Sequence, residues 1–226
     1  MGSQSVNILR TRIKICGLTR AEDVAEVVAA GADAIGFVFY PPSPRYVSAA
    51  DAAALVRQVP PFVSTVGLFV NPTLTQVQEV LAQVPLALLQ FHGDETPEYC
   101  AMISAAVGRP FMRAARVGDT TIADDLLQLD AQYRQASPLF VGLLLDTLVA
   151  QYGGSGKVFD WSLIPKELAP RVVLSGGLNV HNATDAVLRV RPYAVDISSG
   201  VEATKGIKDP EKIRAFIAAV RLADAS

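Results

Sequence analysis

Short apolar runs alternate with longer segments of mixed polarity along the whole chain. The apolar runs fall at 11–16, 34–39, 63–69, 87–91, 111–116, 139–146, 172–175 and 194–197. Their starts lie about 26 residues apart, the length of a compact strand–helix unit. Most are nearly continuous in hydrophobicity, as strands buried on both faces by helices must be. The intervening segments carry helix start signals. Thr19 with Glu22 forms a capping-box pattern, placing a first helix near 20–30. Asn71-Pro72, Thr96-Pro97 and Asp209-Pro210 each pair an N-cap residue with proline at the first helical position. Ser48 and Asn179 are further cap candidates, and Gly31 and Gly108 fall where two helices should stop. The sixth unit is irregular: between Asp146 and Val172 there is room for a glycine-rich loop and only a short helix.

Eight such units predict a single-domain α/β fold, a closed (β/α)8 TIM barrel over 1–226, with 1–7 as a flexible N-terminal extension. An open doubly wound sheet is the alternative, but no GxGxxG turn follows the first strand. The chain of 226 residues is 50% hydrophobic and 19% charged, an ordinary globular composition. A formal net charge of −2 and the lack of a Lys/Arg run argue against a nucleic-acid partner. No apolar stretch reaches the roughly 18 residues of a membrane span. Cys16 and Cys100 are too few for a disulfide framework and lack metal-ligand spacing, so no metal site is expected. The polar first residues carry no secretory signal, and the expected compartment is the cytoplasm, where thiols stay reduced.

In a barrel, chemistry belongs at the C-terminal ends of the strands. Side chains alternate along a strand, so Lys14 and Cys16 share the inward face while Ile13 and Ile15 point to the helices. An ammonium beside a thiol favours thiolate and is expected to lower its pKa from about 8.5. Cys16 is therefore a candidate base or nucleophile, whereas Cys100, inside the fourth helix, reads as a small buried hydrophobe. Asp146 ends the run Leu143-Leu144-Leu145 and is either a cap for the next loop or a catalytic acid. Gly176 and Gly177 follow strand seven, and Ser198, Ser199 and Gly200 follow strand eight. These are the two turns that commonly cradle phosphate in barrels. The segment 153–157 resembles a mobile lid rather than a Walker loop, and its Gly154 and Gly156 join the phosphate-contacting candidates. Arg45, in a proline-stiffened loop, is a candidate carboxylate clamp, or else an exposed arginine. His92 shares a face with Gln90 at the end of strand four and is read as a substrate contact or a structural histidine. His181, in the first turn of the helix after strand seven, reads as a surface residue.

Taken in order, these residues resemble the phosphoribosylanthranilate isomerases of the tryptophan pathway. The segments that carry the resemblance are KICGLTR (14–20), GFVFYPPSPRYV (36–47), VGLFV (66–70), QFHG (90–93), LLD (144–146), GGSG (153–156), FDW (159–161), LSGGL (174–178) and VDISSGVE (195–202). Phe91 stands where a leucine is expected, a change of bulk beside the site. The resemblance implies an Amadori rearrangement of a small phosphorylated aminosugar by general acid–base catalysis, with no cofactor and no metal. It casts Asp146 as acid and Cys16 as base. Arg45 would pair with the anthranilate carboxylate, and Lys14, Gln90, His92 and Asp196 would contact or position substrate. The family contains monomers and homodimers. The histidine-pathway Amadori isomerases have similar architecture, but typically carry aspartate where Cys16 stands. A phosphosugar-binding barrel without catalysis is a rival of another class, against which Cys16, Asp146 and Arg45 together argue.

Overall fold

A computed structural model of the chain describes residues 10–118, 120–147 and 158–226. Eight parallel strands close into a barrel: β1 (Arg12–Cys16), β2 (Ala34–Val38), β3 (Ser64–Phe69), β4 (Leu88–Phe91), β5 (Phe111–Val117), β6 (Phe140–Thr147), β7 (Val173–Leu174) and β8 (Ala194–Ile197). The ring is closed by β1 against β8, with Lys14 opposite Asp196. The doubly wound alternative is thereby set aside.

Helices α1 (Ala21–Ala29), α2 (Ala49–Val56), α3 (Leu74–Leu81), α4 (Pro97–Val107), α5 (Ala123–Ala136), α6 (Ala183–Val190) and α7 (Pro210–Asp224) cover the outside. After β6, the described residues hold only 3-10 turns at Trp161–Leu163 and Ala169–Arg171, which matches the expected irregular sixth unit. A small hairpin, β9 (Glu202–Thr204) with β10 (Ile207–Lys208), lies between β8 and α7 and was not legible in the sequence. No helix among the described residues is long and apolar enough to cross a membrane.

The two faces of the strands divide as alternation requires. Outward residues such as Ile13, Ile15, Ile35, Phe69, Leu89, Leu143, Leu145 and Val195 join the large buried cluster shared with the helices. Burying each such side chain is worth about 1.5–3 kcal/mol. Inward, Val66, Met112, Ala114 and Leu144 form a second cluster that plugs the barrel. Phe91 belongs to the outer set: it is fully buried and meets Phe111 edge-on at 5.7 Å. It therefore lies beneath the helices and not beside the site, because an odd position on β4 faces outward when Gln90 faces in.

Ser48, Thr96 and Asp209 cap their helices as expected. Three other caps differ. The Thr19 hydroxyl donates to the Gly206 carbonyl at 2.7 Å, and α1 begins without a side-chain cap. Thr73, not Asn71, caps α3, in a capping box with Gln76. The Asn71 side chain instead accepts from the Asp94 amide at 2.8 Å, joining the turns after β3 and β4. Asn179 accepts from the His181 amide, and α6 starts only after Asn182. For Thr19 and Asn71 a longer-range partner outcompeted the local helix end, whereas Asn179 closes a local turn ahead of α6. Gly108 takes the left-handed C-cap of α4 and Gly31 follows the end of α1. At the other end of the barrel the Asp224 carboxylate accepts from the Thr11 amide (2.9 Å) and hydroxyl (2.7 Å), tying the last helix to the start of β1.

Candidate functional site at the barrel mouth

The inward sequence of β1 runs Arg12, Lys14, Cys16; that of β6 runs Gly142, Leu144, Asp146; that of β4 ends in Gln90 and continues to His92. Above the apolar plug these positions turn polar, at the C-terminal end of the strands. The same end carries the turns after β7 and β8.

On one side stand Lys14, Cys16, Asp196 and Ser175. Lys14 Nζ lies 2.7 Å from Asp196 Oδ1, with both side chains buried. Ser175 Oγ donates to the other carboxylate oxygen at 3.3 Å and to the Asp196 carbonyl at 3.2 Å. Burial works to lower the Lys14 pKa, but Asp196 and then Cys16 outweigh it and the net direction is up. The Cys16 thiol is only 4% exposed, and burial pushes it above its ordinary value; Lys14 opposes this and Asp196 adds to it. This overturns the expectation of a lowered thiol. The lysine is adjacent, as the alternation implied, but its charge is already engaged by Asp196 and the thiol is buried. At neutral pH this direction favours the thiol over the thiolate.

Facing this cluster across β7 and β8 is Asp146 on β6. His92 Nε2 lies 3.2 Å from Asp146 Oδ2, and His92 Nδ1 lies 2.9 Å from Gln90 Nε2. With Gln90 donating, the ring proton sits on Nε2 and His92 donates to the carboxylate. Asp146 is therefore hydrogen-bonded by a side chain and partly open to solvent, at 29% exposure. The turn that carries His92 is held from below. Buried Glu95 accepts from the Asn71 amide (2.7 Å) and the Gly93 amide (2.9 Å), while Arg113 donates to the Gly93 carbonyl (2.8 Å).

Gly176, with φ +78°, runs so close to the end of β6 that a Cβ would fall 2.3 Å from the Thr147 amide nitrogen and 2.7 Å from Asp146 Oδ1. Only glycine meets both demands. The turns after β7 and β8 also touch, since a Cβ on Gly200 would lie 2.0 Å from the Leu178 carbonyl oxygen. Gly176, Gly177, Ser198, Ser199 and Gly200 thus form one half-buried strip of turn backbone. Gly154 and Gly156 lie outside the described residues.

Arg45 is neither exposed nor free. Its Nε and Nη2 donate to Glu202 Oε1 (2.6 Å) and Oε2 (2.8 Å), a bidentate pair that leaves Nη1 outside it. Its side chain is 12% exposed. Glu202 lay within a recognised segment but carried no expected role, and Lys208 was not singled out at all. Lys208 Nζ is 3.1 Å from Glu202 Oε1 and wholly buried. No local sequence signal marks the pair, because only the β9–β10 hairpin brings Lys208 opposite Glu202. His181 is exposed before α6, away from this group.

A barrel whose mouth gathers a buried thiol, a hydrogen-bonded carboxylate, an anchored guanidinium and two abutting glycine turns belongs to the α/β-barrel enzymes acting on small anionic substrates. The particular family follows from comparison with known proteins. Residues 13–219 match the family described as N-(5'-phosphoribosyl)anthranilate (PRA) isomerase, and the chain belongs to that family. It is 69% identical over 219 residues to N-(5'-phosphoribosyl)anthranilate isomerase of Herminiimonas arsenicoxydans, covering 97% of this chain and 96% of that one. Among solved structures it resembles phosphoribosyl anthranilate isomerase from Thermotoga maritima, with a TM-score of 0.81 at 45% identity over 93% of this chain and 98% of the other. It also resembles a phosphoribosyl anthranilate isomerase in complex with reduced 1-(o-carboxyphenylamino)-1-deoxyribulose 5-phosphate. There the TM-score is 0.78 at 42% identity, with coverage of 93% and 98%.

Proposed function

We propose that this chain isomerises N-(5-phosphoribosyl)anthranilate to 1-(2-carboxyphenylamino)-1-deoxyribulose 5-phosphate, the Amadori step of tryptophan biosynthesis, with Asp146 as general acid and Cys16 as general base. The observation that carries the reading is the placement of these two side chains. Both sit on the inward face at the same end of the barrel, on strands separated by β7 and β8. A furanose ring seated between them meets a different group on each side.

Asp146, entering the step as the carboxylic acid with His92 donating to its Oδ2, gives its proton to the ring oxygen as the C1–O bond breaks, leaving a protonated Schiff base at C1. The carboxylate so formed accepts the His92 N–H, which offsets its new charge. The cationic nitrogen acidifies C2, and Cys16 Sγ, acting as the thiolate that has released its proton to solvent, removes the C2 proton to give the enolamine. C1 then gains a proton as the C2 hydroxyl loses one, yielding the ketone. Lys14, held by Asp196, supplies a fixed positive charge beside the thiolate. Gln90 fixes the His92 tautomer. Arg45 is aimed by Glu202 toward the anthranilate carboxylate. Gly176, Gly177, Ser198, Ser199 and Gly200, joined by Gly154 and Gly156, hold the phosphate through backbone N–H groups. Free Cys16 and Cys100 fit the reducing cytoplasm.

The test is turnover of freshly generated phosphoribosylanthranilate followed by anthranilate fluorescence. A time-dependent change at catalytic enzyme concentration supports the reading. A protein that is stabilised against unfolding by phosphorylated ligand yet leaves the fluorescence constant would be a binder, and the reading would fall.

A further inference from the structure

The catalytic reading leaves one buried charge without a task. Lys208, on β10, has a side chain with no solvent exposure, and it spends its three N–H donors on groups that belong to the mouth. Its Nζ donates to the Ser198 carbonyl at 3.0 Å, to Ser198 Oγ at 3.3 Å and to Glu202 Oε1 at 3.1 Å. Each acceptor leads onward. Ser198 begins the turn after β8, and its hydroxyl donates to the Cys16 carbonyl at 3.0 Å. Glu202 is the carboxylate that aims Arg45. One ammonium thus stands behind the base, the phosphate turn and the clamp.

The charge count around it is uneven. Lys14 and Asp196 form a buried pair of opposite sign. Arg45 and Lys208 share a single carboxylate, Glu202, so one positive charge is left over beneath the turn. From α1, Asp23 accepts the Lys208 backbone N–H, but its own charge is engaged by Arg20. From α7, Lys212 donates to the Glu202 carbonyl and adds a further cation nearby. A buried cation outnumbering its partners is costly, since taking an ion from water is repaid only by opposite charge. An arriving dianionic phosphate supplies it.

Building on the isomerase reading, we propose that Lys208 is a positioning residue that makes the mouth electropositive for the phosphate and for the Cys16 thiolate. It does so through its own buried charge, which its bonds to Ser198 and Glu202 hold beneath the turn. The direction of the thiol's titration agrees: Lys208 is among the groups that favour its ionised form, against burial and Asp196. Burial pushes the Lys208 ammonium below its ordinary value, and Glu202 only partly opposes this.

The test uses Lys208→Met, which keeps the length and removes the charge, with Lys208→Gln alongside in case the methionine variant does not fold. Both are made in a Cys100→Ala background so that Cys16 is the only thiol. The pH dependence of alkylation by iodoacetamide, a neutral reagent, reads the Cys16 titration. Removing the charge moves the midpoint up, because a cation that favours the thiolate is lost. A merely structural tie, once lost, would loosen and wet the site and move the midpoint down or leave it in place. That outcome overturns the proposal. In turnover, KM rises at least tenfold while kcat at a pH above the thiol's midpoint stays within about threefold, and inorganic phosphate loses competitive inhibition by a similar factor. An unchanged KM and an unchanged phosphate inhibition also overturn it. If the parent protein itself shows no turnover, the isomerase reading fails instead, and the alkylation result still decides the role of Lys208.

Discussion

Gly36 offers the sharpest test of how the base is positioned. It lies on β2 opposite Cys16, and a Cβ built there would fall 2.7 Å from Cys16 Sγ and 3.2 Å from Cys16 Cα and Cβ. Comfortable separations begin near 3.5–4.0 Å, so Gly36→Ala demands a displacement of about 1 Å. The backbone of Cys16 is fixed by the parallel ladder to β2 and, on the β8 side, by the Ser198 hydroxyl on its carbonyl, so the side chain must yield. Overpacking of this kind costs about 1–3 kcal/mol of stability, which a domain of ordinary stability survives. A 1 Å misplacement of a reacting group costs on the order of 100-fold in rate. The expected result is a cooperatively folded protein, checked by urea unfolding, whose kcat falls by about two orders of magnitude while the affinity for a product analogue changes little. A folded Gly36→Ala protein with turnover within threefold of the parent would refute the claim that Sγ must occupy its observed place.

Three further outcomes follow from the same geometry. Because burial raises the Cys16 thiol above its ordinary value, the reactive thiolate is scarce at neutral pH, and kcat/KM should rise about tenfold per pH unit from pH 7 toward 9. A profile already flat at pH 7 contradicts this. Cys100, fully buried against the outer core, has its pKa pushed up to about 12. A group raised on folding gives stability that is complete below its unfolded value and is lost as pH climbs toward the folded one. The urea midpoint should therefore drop between pH 9 and 11, by less in Cys100→Ala, with a ceiling on the order of 4 kcal/mol for the full shift. Equal alkaline losses in both proteins would contradict it. Gly176→Ala should lower both stability and kcat by at least tenfold, because the methyl group meets the Thr147 amide and Asp146 Oδ1 at a left-handed φ. An active, fully stable variant would show that the turn relaxes freely.

The barrel was legible because eight apolar runs at even spacing leave few other solutions, and alternation alone put Lys14 and Cys16 on the inward face. What escaped was whatever depended on partners distant in the chain. Asn71-Pro72 and Thr19 carry sound cap chemistry, yet Asn71 is taken by the Asp94 amide and Thr19 by Gly206, contacts that no local pattern encodes. Lys14 was placed beside the thiol correctly, but Asp196 comes from the far end of the chain and captures its charge, so the expected direction of the thiol shift reversed. Arg45 was recognisable as a clamp, while the carboxylate that aims it was not. Lys208 was invisible for the same reason: before Asp209-Pro210 it reads as an exposed residue at a helix start, and only the hairpin folds it under Ser198.

The central claim is a division of labour between Asp146 and Cys16, and single-turnover kinetics with Asp146→Asn and Cys16→Ser test it most directly. The account predicts that both variants bind a product analogue normally, and that each loses at least about 100-fold in the chemical step. With substrate deuterated at C2, the parent enzyme and the weakly active Cys16→Ser variant should show a primary isotope effect, and Asp146→Asn should not, because ring opening then limits the rate. Near-normal single-turnover rates in either variant, or an isotope effect that persists undiminished in Asp146→Asn, would contradict the assignment of acid and base.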